Sequence, residues 1–288
     1  MGKGLVNVIE RFSEDNMLTY AAALSYQLFF SLFPFLIFFV ALLGALNIPG
    51  FFDWLLDQAW AVLPVQAVEI VEQALEQIRS QAQTFLSIAI IVALWSASAA
   101  VRMTMQALDV AYDVAEGRPW WKKYPLSILY TILLTVLIIF AVALMLIGPQ
   151  IGEWLAQQIG LSSIFVALWG WLRIPAAVLL LIVGLALVYY FFPNTDYPFR
   201  FSLPGAFLAV IVWLVASFGF SFYVNNFSSY SVTYGSIAAI TVVLLYLYIS
   251  ACVVLLGAEV NAEIYYQFAE GHDGDEKGQE FCPSKEGS

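Results

Sequence analysis

The sequence predicts an all-α protein: a polytopic membrane helix bundle of six transmembrane helices with short amphipathic helices on its outer side. Three observations carry this. Hydrophobic residues make up 62% of the chain and charged residues 11%, against roughly 45–50% and about 25% in soluble proteins. Six stretches are long and apolar enough to cross about 30 Å of hydrocarbon at about 1.5 Å per helical residue. None of the six alternates as barrel strands do, so only helices can satisfy their backbone groups in lipid.

The spans fall at about 17–46, 84–101, 126–147, 174–192, 203–224 and 236–258. The first is longer than a simple crossing, and its opening third is polar, with Thr19, Tyr20, Ser25, Tyr26 and Gln27. Pro34 lies inside it, removes a backbone donor and should kink the helix near Phe30. Residues 51–63 are apolar with Asp53 and Asp57 and read as a helix dipping into the outer interface, or alternatively as a re-entrant segment. Residues 65–81 place Val68, Val71, Leu75 and Ile78 on one helical face and Glu69, Glu72 and Glu76 on another, an amphipathic outer helix. Pro125 and Pro149 bracket the third span, and a second amphipathic piece covers Ile151 to Ile159. Phe192-Pro193-Asn194 closes the fourth span. Ser202 and Pro204 read as a cap and an early helical proline opening the fifth. The uncharged polar linker from Asn225 to Gly235 either caps the bundle or receives a polar headgroup. Residues 1–268 form the membrane domain; 269–288, rich in Gly, Glu and Asp, read as a disordered cytoplasmic tail.

Basic residues set the orientation. With both termini in the cytoplasm, the inner segments hold Lys3, Arg11, Arg102, Arg118, Lys122, Lys123, Arg200, Lys277 and Lys285, and the outer segments only Arg79 and Arg173. Trp120-Trp121-Lys122-Lys123-Tyr124 forms a dense anchor at the inner surface. The N-terminus mixes acidic and basic side chains ahead of a span longer than a signal-peptide core, so it reads as retained.

Composition also excludes functions. A net charge of −10 argues against a nucleic-acid partner. One histidine, His272, leaves little for a transition-metal site, and Cys252 and Cys282 make no framework. No metalloprotease, nucleophile-elbow or phosphate-loop motif is present, so no enzyme and no cofactor are expected.

Ionisable residues within or beside the membrane are costly and become candidates. Glu259 and Glu263 are four apart and share one helical face. A cluster of Arg102, Asp109, Glu259 and Glu263 at the inner mouth could be a gate or proton-linked site, or an ion-pair network tying helix ends. Tyr20, Ser25, Tyr26, Gln27, Ser96 and Ser98 would line a path beside the Pro34 kink. Small residues, among them Ala21, Ser98, Gly219 and Ala239, mark faces where helices can approach closely.

Several segments resemble the YihY/BrkB family of bacterial inner-membrane proteins: Tyr20 to Tyr26, Ser31 to Pro34, Leu94 to Ser98, Ala107 to Tyr112, Phe192 to Asn194, Leu203 to Ala206, Tyr223 to Phe227, Ser229 to Ser231, Tyr234 to Ser236 and Leu256 to Glu263. The resemblance spans about residues 10–268. It implies six helices in the bacterial inner membrane and, for some members, a ribonuclease BN label or links to virulence, serum resistance or envelope lipid export. The nuclease label conflicts with one tail histidine and a net −10. The reading that follows is a transporter or flippase-like protein for a lipid or amphiphile in envelope biogenesis, with membrane lipids and envelope-assembly components as partners. The alternatives are a non-transporting scaffold for envelope assembly acting through residues 49–83 and, ranked below it, a ribonuclease or intramembrane hydrolase.

Overall fold

The computed structural model describes residues 2–45, 82–146, 163–195, 197–226 and 229–273, with single positions 56 and 72. Helix is the only regular element among them. The helices are α1 (Gly2–Glu14), α2 (Met17–Ala45), α3 (Ala82–Ala111), α4 (Trp120–Leu146), α5 (Ser163–Phe191), α6 (Leu203–Asn226) and α7 (Ser229–Asp273), with a 3-10 turn over Phe199–Ser202. Helices α2 to α7 are each long and apolar enough to cross a membrane. The sequence expectations for residues 51–63, 65–81 and 151–159 lie outside the described residues.

Several boundaries differ from expectation, for identifiable reasons. Helix α1 was not foreseen as a helix. It ends on Asn16, whose φ of 55° suits a residue type that tolerates the left-handed region. Helix α3 runs to Ala111 rather than stopping at Val101, because Arg102 is hydrogen-bonded within the helical packing. It closes in a Schellman motif: the Val114 N–H reaches the Asp109 carbonyl and the Asp113 N–H the Val110 carbonyl, both at 2.9 Å, with Asp113 at φ 53°. Helices α4 and α5 begin earlier than their predicted spans and carry Pro125 and Pro175 inside. Helix α2 carries Pro34 inside it and runs on as one helix, as the predicted first span does.

Helix α7 departs most. It starts at Ser229, so most of the supposed linker is its first turns, and it continues to Asp273, five residues into the stretch assigned to a disordered tail. Its 45 residues span about 67 Å, more than twice the hydrocarbon thickness. The acidic residues that ended the predicted span are paired with other elements, so nothing stops the helix there.

Each spanning helix packs on its neighbours in a closed circuit: α2 on α3, α3 on α4, α4 on α5, α5 on α6, α6 on α7, and α7 back on α2. One further contact, α7 on α3, crosses the circuit, and α1 lies on α7 and α2. Lipid tails are as apolar as leucine, so this packing depends on close approach rather than on expelling water. The contact faces accordingly hold small side chains: Ala21, Ala107, Ala111, Ala186, Ala206, Ala258 and Ala262 are all buried. The tightest crossing joins Gly205 of α6 to Gly257 of α7, where an added Cβ on either would overlap the other's backbone oxygen. Gly219, expected at such a contact, has nothing within 4 Å of its Cβ position.

Burial is concentrated at one end. Met17 and Leu24 of α2, Met105 and Leu108 of α3, Tyr189 of α5, Ala206 of α6 and Leu255 and Ala262 of α7 form one core beside α1. Toward the far end, no described residue of α6 beyond Val210 and none of α7 before Ala251 is buried. Helices α2 to α5 keep buried residues farther from that end, as at Ala41, Ala89, Ala141 and Ala177.

Candidate functional site

Four polar groups lie toward the packed end. The first centres on Glu259, whose side chain is fully buried. Its partner is Arg11 of α1: Nε lies 3.4 Å from Glu259 Oε2. The same guanidinium donates through Nη2 to Asp113 Oδ2 at 2.9 Å and to the Ala111 carbonyl at 3.2 Å, and it lies 4.8 Å from the centre of the Tyr266 ring. Arg11 therefore ties α1 to the ends of α3 and α7. One turn earlier on α1, Asn7 donates to Glu263 at 2.9 Å, and Gln267 donates to the same oxygen at 2.7 Å. The spacing of four between Asn7 and Arg11 matches the spacing of four between Glu259 and Glu263.

Asp15 completes this group, its carboxyl within hydrogen-bond reach of Glu259. Burial first, then the nearby Asp113 carboxylate, push Asp15 above its ordinary range, against the pull of Arg11 and of that hydrogen bond. Burial lowers the Arg11 pKa, but Asp113 and Glu259 outweigh it, and the guanidinium is held more firmly charged than usual. Glu259 Oε1 is buried with no hydrogen-bond donor among the described residues. Two carboxyls facing each other beneath one arginine can share a proton.

The second group lies across the loops. Asp109 accepts the Asn194 N–H at 2.7 Å and lies 3.6 Å from Arg118. Arg118 donates to Glu116 at 2.7 Å and to the Phe192 carbonyl at 2.8 Å, and Lys123 reaches Glu116 at 2.9 Å. Burial would raise Glu116, but hydrogen bonds from Arg118 and Lys123 outweigh it and hold the carboxyl down at about 2. This network fixes the α3–α4 connection to the end of α5.

The third group is built on Asn261, fully buried on α7. Its Oδ1 accepts the Gly205 N–H at 2.7 Å and its Nδ2 donates to the Ser202 carbonyl at 3.3 Å. The first turn of α6 is thus served by a side chain from α7, where the sequence suggested the Ser202 hydroxyl. Beside it, the hydroxyls of Tyr197 and Tyr266 both donate to the Tyr112 carbonyl, at 3.3 and 3.1 Å.

The fourth group holds Arg102. It donates to Ser98 at 2.8 Å and Ser127 at 3.2 Å, with its guanidinium 4.4 Å from the Tyr124 ring centre and 5.7 Å from that of Trp95.

The predicted quartet is therefore not one cluster. Glu259 and Glu263 do share a face, but they meet Arg11 and Asn7. Asp109 belongs to the loop network, and Arg102 stands apart from all three. Of the supposed path residues, Ser25 and Ser98 are buried and hydrogen-bond to their own helices, at the Ala22 and Trp95 carbonyls. Tyr26 is 59% exposed and packs on Phe30, with ring centres 4.5 Å apart. Tyr20 packs half-buried against the core, and Gln27, Pro34 and Ser96 are half-buried. Asn225 is helical, and its side chain lies outside the described residues. The sequence reading missed Arg11, Asn7, Asp15 and Asn261. For the first two, the matched spacing of four was the available signal.

Six apolar helices whose charged side chains, Arg173 of α5 apart, gather toward one end among the described residues define a polytopic α-helical membrane protein. The family model described as "Virulence factor BrkB" matches residues 8–280. The chain belongs to that family. A relative from Bacillus subtilis (strain 168), named as a ribonuclease-like protein, YfkH, is 35% identical over 262 residues, 91% of this chain and 94% of its own length. A UPF0761 membrane protein from Xanthomonas campestris pv. campestris (strain B100) is 28% identical over 264 residues, covering 88% of this chain. One from Xanthomonas axonopodis pv. citri (strain 306) matches to the same extent. The chain spans 59% of the length of these Xanthomonas relatives. No solved structure matches.

Proposed function

We propose that this protein moves a lipid or another amphiphile across the bacterial inner membrane during envelope assembly, with both termini in the cytoplasm. The observation that supports this reading is the asymmetry of packing. One end is sealed by buried charges and small-residue contacts, whereas toward the other end α6 and α7 bury nothing among the described residues. In that unsealed half, α6 and α7 meet through polar pairs: Trp213 Nε1 donates to Ser250 at 3.0 Å, and Ser217 and Tyr246 share a hydrogen bond of 3.1 Å. A bundle closed at one end, with its α6 and α7 faces unburied toward the other, suits alternating or lateral access to a substrate that enters from lipid. In this reading Glu259, under Arg11 and facing Asp15, is the latch of the sealed end rather than a lining residue.

A nuclease is the weaker reading. The chain carries a net −10, which repels tRNA phosphates. The buried carboxylates Asp109 and Glu259 are turned onto Arg118 and Arg11 rather than toward a basic groove.

The test is reconstitution. Proteoliposomes carrying the full chain should exchange a fluorescent phospholipid between leaflets at least about tenfold faster than protein-free vesicles, a barrier change of about 1.4 kcal/mol. Glu259→Gln should alter that rate while the protein remains folded. Equal rates with and without protein, across phosphatidylglycerol, phosphatidylethanolamine and cardiolipin analogues, would remove the proposal.

A further inference from the structure

Among the described residues, Arg102 is a cation without a counter-ion. Helix α3 places Arg102 nine residues before its end at Ala111, about 13 Å along the axis. Ser127 lies seven residues inside α4 from Trp120, about 10 Å. The site therefore sits below the ring of exposed Trp120 and Trp121, where a charged side chain normally snorkels outward. Arg102 does the opposite. A helical side chain leans toward the helix N-terminus, and here Nη1 is bonded to Ser98, one turn deeper.

The hydroxyls that hold it are oriented. Ser98 donates its proton to the Trp95 carbonyl at 2.8 Å and Ser127 donates to the Tyr124 carbonyl at 2.7 Å. Each leaves a lone pair for Arg102. Both bonds use Nη1. No carboxylate pairs with Arg102 among the described residues, and its Nη2 and Nε donate to none of them. The flank is open between Trp95, 56% exposed, and Tyr124, 37% exposed, whose ring centres are 5.8 Å apart.

We infer that Arg102, positioned by Ser98 and Ser127 and bracketed by Trp95 and Tyr124, binds the phosphate of an anionic phospholipid headgroup. A guanidinium offers a planar fork that matches two phosphate oxygens, and Nη2 and Nε form one edge of that fork. Keeping it deep and unpaired is costly unless an anion joins it, and the anion abundant beside an exposed aromatic cleft in a membrane is a lipid phosphate. The aromatic faces favour the cation and leave room for the acyl-glycerol portion alongside. This site does not depend on the chain transporting anything, so it is tested by binding alone.

The experiment is native mass spectrometry of the detergent-purified full chain, titrated separately with phosphatidylglycerol, phosphatidylcholine and inorganic phosphate. The wild-type protein should retain phosphatidylglycerol in preference to phosphatidylcholine and should not be saturated by inorganic phosphate at the same concentration. Arg102→Gln should weaken phosphatidylglycerol retention about tenfold, and Arg102→Lys should recover only part of it, because an ammonium lacks the fork. Tyr124→Leu, which keeps the cation, should weaken retention in the same direction and serves if Arg102→Gln does not fold. Undiminished phosphatidylglycerol retention in folded Arg102→Gln, or in Tyr124→Leu where that variant alone is folded, overturns the site. Inorganic phosphate binding as tightly as the lipid overturns the lipid assignment.

Discussion

Gly205→Ala is expected to cost at least about 3 kcal/mol and to leave little folded protein, beyond the usual loss for an overpacked contact. A Cβ at Gly205 would overlap the Gly257 carbonyl oxygen and lie 2.6 Å from the Asn261 side chain. Neither can yield. The first is backbone, and the second is pinned by its bonds to Gly205 and Ser202. The reciprocal change, Gly257→Ala, would press on the Tyr189 hydroxyl, on Ala209 at 2.8 Å and on the Gly205 carbonyl at 2.8 Å. Tyr189 is itself fixed by donating to the Val254 carbonyl. The control is Gly219→Ala on the same helix as Gly205, where the added methyl meets open space. Thermal unfolding in detergent, followed by the monodisperse fraction, should separate the three sharply. Equal melting temperatures for Gly205→Ala and Gly219→Ala would mean that α6 and α7 do not cross at Gly205.

Arg11→Ala should be the next most damaging change. It strands Glu259 with no cation, beside a second carboxyl at Asp15 and a third at Asp113. Breaking a buried pair typically costs about 3–5 kcal/mol, and the partial exposure of Arg11 places this case toward the lower end. Glu259→Gln should be milder, because it removes the charge together with the need for a partner. Combining the two should recover at least about 1 kcal/mol relative to Arg11→Ala alone, the signature of direct coupling. A double-mutant cycle in detergent measures this. Strict additivity would show that Arg11 and Glu259 do not hold α1 to α7 through their pairing.

The six spans were legible because the membrane imposes one rule on every crossing, namely enough apolar residues to reach the other side. The face shared by Glu259 and Glu263 was legible because helical spacing is local. Their partners were not. Arg11 and Glu259 are 248 positions apart, and composition around Arg102 and Asp109 made those residues look equally suitable. Helix α1 escaped because its role comes from Asn7 and Arg11 meeting α7, a tertiary fact. Span ends were misjudged wherever a charge looked like a stop: at Arg102, where two serine hydroxyls accept it, and at Glu259, where Arg11 does. Gly219 and Gly205 are alike in sequence terms. Only the helix crossing distinguishes them.

The central claim is that α6 and α7 are sealed at one end of the bundle and not toward the other. It is tested most directly by single cysteines introduced into the full chain, with Cys252 and Cys282 first replaced by serine, reconstituted in proteoliposomes and exposed to a membrane-impermeant maleimide from both sides. Cysteines at Ser217 and Tyr246 should react, and cysteines at Ala258 and Ala262 should stay protected until Arg11→Ala opens the latch. Protection at all four positions, or free reaction at Ala258 and Ala262 with Arg11 intact, would contradict it.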